Sequence, residues 1–375
     1  MRNGIPNVRI ALVVPGGVDR SGVDRVIPVL LWLIERLARR HDVHIFSTRQ
    51  EPEPGEWDLL GARVHNIGTA RGTARRLLAR FGTEHRRSPF DVVHAFFGVC
   101  GAYASLTGWR HRVPVVYHPS GGEFVSMPDA DYGMLGSWRG RAALRLAIAG
   151  SKRVTVASKA MQRLAVQHGV DATLVPLGVA IDRWPIRAPR QRVPSRALQL
   201  LHVGDQRPVK DQRVLLTAVN RMVAAGVDVQ LDMVGLDTMG GELQRAFASE
   251  PVGRVTRWHG VLGREPLRAL MDAADLLVLP SRHEAGAIVV LEAAIAGIPT
   301  VGTAVGDLAE WSPEAAVAVP VGDAESLARE LSAIAIDEPR RLALAHEAQR
   351  RAVAIDADYT AASFERIYDE IGFRA

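Results

Sequence analysis

The chain has 375 residues, with 46 Lys and Arg against 41 Asp and Glu for a formal net charge of +5, 47% hydrophobic residues and 23% charged ones. That balance is that of a globular chain rather than a disordered one, and the length suits two domains of ordinary size. Cys100 is the only cysteine, which excludes an internal disulfide and a cysteine-held metal cluster.

VRIALVVPGG (8–17) is a β-branched apolar run closed by Pro15, Gly16 and Gly17, which predicts a buried parallel strand and a tight turn. A helix is expected over roughly 23–40, with Pro28 tolerable only near its first turn. That stretch is interrupted by Glu35 and its arginines, so it falls short of the ~20 apolar residues that span a bilayer. MRNGIPNVRIALVVPGG runs directly into a strand rather than reading as a signal peptide. A cytoplasmic location is therefore expected, with peripheral attachment at the inner face of the membrane left open.

DVHIFS, ARVHNI, DVVHAFF, VPVVYH and RVTVAS follow as further strands between helical or glycine-rich stretches, the alternation of a doubly wound α/β domain. Two basic clusters lie in this half: Arg71, Arg75, Arg76, Arg80, Arg86 and Arg87, then Arg139, Arg141, Arg145, Lys152 and Arg153. Acidic lipid or phosphorylated ligands would suit them, and solvated helix faces are the simpler reading. Neither has the interleaved aromatics of a nucleic-acid surface, so no nucleic-acid partner is expected.

Residues 175–197 change character: Pro176, Pro185, Pro189 and Pro194 punctuate an arginine-bearing stretch without apolar periodicity. This predicts a first domain over 1–187, a linker over 188–196 and a second domain over 197–356. In the second domain LQLLHVG, VQLDMVG, VTRWHG, LLVLPS, IPTVGT and AVAVPV read as strands. Helices are expected at about 211–225, 265–274, 287–296 and 324–335, with 357–375 as a terminal helical segment. Ligands of such folds bind at the carboxyl ends of the strands, in the cleft that two facing domains would enclose.

SRHEAGAIVVLEAAIAGIPT (281–300) places Glu284 and Glu292 around an apolar run, and carboxylates are rarely buried without partners. A helix closed by Gly297 with Pro299 beyond it would hold Glu292 inside and Glu284 before its start. If the whole segment were helical, the eight-residue spacing would correspond to about 12 Å. The amides of Gly286, Ala287 and Ile288 would then offer a helix start to a phosphate, and the two carboxylates would accept hydroxyls on either side. A nucleotide diphosphate sugar has that combination of groups.

LPSRHEAGAIVVLEAAIAGIPTVGTAVGDLAEW resembles the signature of the retaining glycosyltransferases of the GT-B fold, family 4, and HVGDQRPVKDQRVLLTA (202–218) is similar to that family's first strand and phosphate loop. The resemblance implies two Rossmann-like domains facing a cleft, the first binding acceptor and the second the nucleotide sugar, with room for the C-terminal helix to cross back to the first. It implies sugar transfer with retention at the anomeric carbon and no metal. It also places Lys210 at the diphosphate with Gly204 before it. Where the family usually has an arginine after this glycine the chain has Asp205, and Arg207 is the candidate substitute. Glu292 falls on the ribose and Glu284 on the donor sugar, while His259 and Leu262 flank the base. PGGVDRSGVDRV resembles the family's glycine loop, with Gly16 and Gly17 admitting phosphates, and VVYHPSGGEF puts His118 at the reacting centre. His94 and His202 read as structural. The acceptor would be a glycan, a lipid-linked or a small molecule. Two other readings share these features: a nucleotide-sugar epimerase and a catalytically idle sugar-nucleotide binder. Asp129-Ala130-Asp131 and Asp356-Ala357-Asp358 imitate a metal-binding pair, but the first is in a loop and the second suits a helix cap. The chain has no P-loop, zinc-helix motif or GxGxxG.

Overall fold

A computed structural model describes residues 7–193 and 196–372, which divide into two compact units. One contains the residues up to 180, except 129–131, together with the terminal segment 357–372; the other contains 129–131 and 181–356. The division falls at Ala180, ahead of the stretch that reads as a linker.

The first unit is built on an eight-stranded sheet. In chain order its strands are β1 (Arg9–Val14), β2 (Asp42–Ser47), β3 (Gly55–Leu59), β4 (Ala62–Asn66), β5 (Val92–Phe96), β6 (Val115–His118), β7 (Arg153–Val156) and β8 (Ala172–Leu174). Their order across the sheet is β3-β4-β2-β1-β5-β6-β7-β8, and only the β3–β4 pair is antiparallel. β1 is buried from Ile10 to Val14 because helices cover both faces of a parallel sheet. β3, GEWDL, alternates exposed and buried instead, as an edge hairpin can. The first helix runs Pro28–Ala38 with the proline in its first turn, where its missing N–H costs nothing.

The terminal helix Ala357–Gly372 packs on this same unit. Phe364 is fully buried, the Tyr368 hydroxyl lies 2.7 Å from His94 Nδ1, and Glu365 takes Arg40 at 2.6 Å and His41 at 3.2 Å. The crossing back expected of the C-terminal helix is thus present, and His94 serves to dock it.

The second unit is built on six parallel strands: β9 (Leu198–Val203), β10 (Val229–Val234), β11 (Thr256–Gly260), β12 (Leu276–Leu279), β13 (Thr300–Thr303) and β14 (Ala316–Val319), in the order β11-β10-β9-β12-β13-β14. The strand order reverses at β9, whose neighbours are β10 and β12. A doubly wound sheet opens its ligand crevice at such a reversal, beyond the carboxyl ends of the strands.

The described part of 188–196 is not a free linker. Arg190 donates to the carbonyl of Ala274, Arg192 to that of Ala335, and Arg196 to Asp275 at 2.9 Å. Its arginines saturate helix-end carbonyls and a buried carboxylate, so the segment straps the second unit. Pro194 and Ser195 lie outside the described residues. Part of the first basic cluster is likewise spent on the fold. Arg76 donates to the carbonyls of Ile67, Gly68, Ala70 and Arg71, and Arg80 and Arg87 both pair with Glu84.

Candidate active site

At the reversal point β9 ends at Val203 and the chain turns through Gly204 into a short 3-10 turn, Pro208–Lys210. The loop is anchored on both sides. Gly204 N–H donates to Val234, Gln206 N–H to Leu236, and the Asp205 carboxylate accepts the Leu236 amide at 3.0 Å. Asp205 therefore ties two loops together and cannot do what an arginine there would do. Arg207, two residues on, is exposed.

On the other side, the Arg282 amide donates to Val209, which brings the loop after β12 against the loop after β9. Lys210 Nζ lies 2.6 Å from Glu284 Oε1, and Ser281 Oγ donates to the same oxygen at 2.6 Å. Glu284 Oε2 takes neither bond. Glu284 is only 9% exposed, so this pair is a constrained ion pair and not a surface contact. The chemistry-bearing lysine and glutamate, 74 positions apart, are thus brought into contact by the pairing of β9 with β12.

Glu284 lies in the loop, and the helix after it runs Ile288–Ile295. Only Glu292 is helical, so the ~12 Å spacing of a continuous helix does not apply. Gly306 closes over this loop with φ +50°, and a Cβ there would stand 3.0 Å from the Glu284 Cβ, so a side chain would press on the site glutamate. Next to it, the half-buried Asp307 accepts the Ala287 amide; burial pushes its carboxyl up to about 7, and Glu310 and Glu284 add to the shift. The three-amide phosphate site expected at the helix start is corrected accordingly: the Ala287 N–H faces a carboxylate, which leaves Gly286, exposed, and Ile288. Ser281 and Asp307 were not recognised in the sequence. The signal available was their position, one at the end of a strand and the other after the glycine of the next turn.

Glu292 is 6% exposed, and burial raises its carboxyl to about 8, with Arg264 pulling the other way. Its helix is held by Trp184, whose indole N–H donates to the Glu292 carbonyl at 3.2 Å. At the far side of the sheet His259 Nε2 lies 2.7 Å from Asp232 Oδ1, and Leu262 is half-buried. Asp232 fixes the orientation of His259 and was also missed. His202 is fully buried, with Nδ1 2.9 Å from the Val278 carbonyl and Nε2 near Gln212; it is structural, as read.

In the first unit Gly17 has φ +81°, and a Cβ there would come within 2.5 Å of Ile27, so the turn after β1 requires glycine. Gly16 packs beside Gln50, whose side chain accepts the Val18 amide. His118 is the residue expected at the reacting centre. It is fully buried at the end of β6, Nδ1 lies 2.8 Å from Thr155 Oγ1, and the ring packs against Phe96 and Phe364. Desolvation drives its pKa down to about 3, so it is neutral. Two phenylalanines pack the ring, while its Nε2 has no hydrogen-bond partner among the described residues. Beyond the strand end come Ser120 and a loop centred on Glu123, whose buried carboxylate accepts the amides of Ser120 and Gly121. His118→Ala is expected to cost about 2–4 kcal/mol of stability through the cavity and the unpaired Thr155, seen as a lowered midpoint in denaturant. An unchanged midpoint with lost activity would place His118 at the reacting centre.

Asp129 and Ala130 lie in a 3-10 turn, Pro128–Ala130, and Ala357 begins the terminal helix. Among the described residues, His44, His65 and Glu84 are the one group close enough to share a metal. They are a hydrogen-bonded core cluster, with His44 Nδ1 2.9 Å from His65 Nε2 and Glu84 already matched by Arg80 and Arg87.

Comparison with known proteins agrees with this geometry unit by unit. Residues 26–178 match the glycosyl transferase 4-like domain, and residues 197–337 match the glycosyl transferases group 1 model. The chain is 29% identical over 372 residues to D-inositol 3-phosphate glycosyltransferase 1 of Catenulispora acidiphila, covering 88% of this chain and 86% of that one. It is 30% identical over 191 residues to glycogen synthase of Mycobacterium tuberculosis, a match that spans 50% of this chain and 45% of that relative's length. Sucrose-phosphate synthase from Thermosynechococcus elongatus superposes with a TM-score of 0.79 at 18% identity, over 97% of this chain and 99% of that one. Anabaena HepE in complex with UDP-glucose does so at 0.73 and 18% identity, over 96% and 100%. The chain belongs to the group 1 and family 4-like glycosyltransferases of the GT-B fold.

Proposed function

We propose that the protein transfers a sugar from a nucleoside diphosphate sugar to an acceptor with retention at the anomeric carbon and without a metal ion. The observation that carries this reading is the Lys210–Glu284 pair at the β9/β12 reversal, with Glu292 buried in the helix beyond it. Lys210 supplies a point charge for the diphosphate, and exposed Arg207 with the Gly286 and Ile288 amides adds donors around it. Glu284 keeps one carboxylate oxygen for Lys210 and Ser281 and offers the other to sugar hydroxyls. Glu292, neutral at pH 7, can both donate to and accept from a ribose diol. His259, held by Asp232, and Leu262 form the side for the base, and the Gly16–Gly17 turn of the first unit admits phosphate oxygens to the backbone.

In the reaction the bond from the anomeric carbon to the phosphate oxygen breaks and the bond to the acceptor oxygen forms on the same face. The acceptor proton passes to the departing phosphate, whose growing charge Lys210 and the amides stabilise, so no protein nucleophile is required. The first unit binds the acceptor. UDP and UDP-glucose, held by the structural relative HepE, are the first ligands to test.

Thermal-shift measurement against uridine, guanosine, adenosine and thymidine diphosphates and their sugars reads the donor directly, since a ligand that binds only the folded state raises the midpoint. One base should stand out, with its free nucleoside giving little shift. Interconversion of two free donor sugars without acceptor would mark an epimerase instead. Binding without transfer or slow donor hydrolysis would mark an idle binder.

A further inference from the structure

Two neighbouring helices of the first unit, Gly98–His111 and Trp138–Ala149, carry no acidic side chain and present two tryptophans to solvent. Trp109 is 83% exposed and Trp138 69%. On the second helix Trp138, Ala142, Arg145 and Ala149 share one face by helical spacing, with Leu144 and Ala147 buried on the opposite side. Twelve residues at ~1.5 Å make that face about 18 Å long. At its far end a depression of about 650 Å³ is lined by Ala149, Lys152, Arg112 and Trp109, which makes the second tryptophan continuous with the helix face.

Four of the cations on this surface meet no acid: Arg110, Arg112, Arg145 and Lys152 are exposed and, among the described residues, pair with no carboxylate. Arg139 lies over the Trp138 ring at 5.4 Å, and Arg141 donates to the Leu135 carbonyl. The contrast with the first basic cluster, where Arg76 and Arg80 are absorbed by the fold, is direct. Exposed tryptophans flanked by unpaired arginines, with no acid on either helix, match the two demands of an anionic bilayer surface: rings that settle at the headgroup level and cations that meet lipid phosphates. An acidic protein partner would require the arginines but would not require two rings projecting singly from separate helices.

We propose that this face, formed by the helices Gly98–His111 and Trp138–Ala149, docks the protein on an anionic lipid surface. The inference does not rest on the donor reading, because none of these residues belongs to the β9/β12 site. The full chain is sedimented with vesicles of phosphatidylcholine containing about one-third phosphatidylglycerol and with pure phosphatidylcholine, at low and at ~0.5 M salt. Binding is expected to the anionic vesicles at low salt and to fall steeply in the other conditions. Arg110→Gln, Arg145→Gln and Lys152→Gln together should lower partitioning at least about tenfold, at up to about fivefold per charge. Removing Arg213, Arg221 and Arg254 from the other unit serves as a control for net charge and should change it less than about twofold. Trp109→Ser with Trp138→Ser should weaken binding several-fold and reduce quenching of tryptophan fluorescence by brominated lipid. All these side chains are exposed, so the unfolding midpoint should hold. No vesicle binding by the parent chain, equal losses in the control triple, or indifference to the tryptophan pair would each overturn the proposal.

Discussion

Glu292→Gln is expected to make the empty protein more stable and the nucleotide complex weaker. Burial raises the carboxyl from an ordinary 4.5 to about 8, so the folded state keeps a proton that the unfolded chain gives up. The stability linked to that proton is fully present below about pH 4.5 and is lost as pH rises toward 8, at about 1.4 kcal/mol per pH unit. Glutamine stays neutral and escapes the loss. Its Tm should therefore match the parent near pH 4.5 and exceed it by several degrees at pH 8. In calorimetry the same variant should lose about 0.5–1.5 kcal/mol of nucleoside diphosphate affinity, the range for a hydrogen bond between neutral groups. A Tm difference that does not change with pH would refute the buried-carboxyl account, and unchanged nucleotide affinity would remove Glu292 from the ribose.

The second large effect concerns the pair at the strand reversal. Lys210→Met removes the cation from a carboxylate that is 9% exposed and leaves it with Ser281 alone. Breaking such a pair from one side is more damaging than removing both charges. Lys210→Met should thus be the less stable single variant, and Lys210→Met with Glu284→Gln should recover part of the loss, a coupling of about 0.5–3 kcal/mol in a double-mutant cycle. Binding should separate in the opposite way: Lys210→Met costs diphosphate-linked ligands about 1.5–3 kcal/mol and the free nucleoside little, while the double variant regains no diphosphate affinity. Additive stabilities would mean the 2.6 Å contact contributes nothing to the fold. Equal losses for nucleoside and diphosphate would make Lys210 structural.

Much of this site can be read from the chain because its elements obey local rules. β9 and β12 are short apolar runs ended by glycine or Pro-Ser, and the helix at 288–295 stops at Gly297 as its pattern requires. Elements without such a pattern escaped. β3 carries the two acids Glu56 and Asp58, β8 has three residues, and the helix Glu338–Ala354 is rich in arginine and alanine with no strong apolar stripe. The role of a side chain is harder to read than its element. His118 ends a strand before a glycine loop, which is where a reactive histidine would stand, yet alternation along a short strand does not say which ring Phe364 covers from a helix far along the chain. The arginines of 188–196 look solvated in a proline-rich stretch and become hydrogen-bond donors only once helix ends are brought beside them. Ser281 and Asp307 matter through Glu284 and Ala287, contacts fixed by the order of strands in space.

Retention in a nucleotide-sugar transferase is tested, without knowledge of the acceptor, by the anomer first released in slow donor hydrolysis. The donor selected by thermal shift is incubated with the protein in the presence of a chelator, and the freed sugar is followed by proton NMR before mutarotation equalises its anomers. An α-linked donor should yield the α anomer first, at a rate unaffected by chelator and lowered roughly 10²-fold or more by Glu284→Gln. Early appearance of the β anomer, or turnover abolished by the chelator and restored by a divalent metal, would contradict retention without a metal ion.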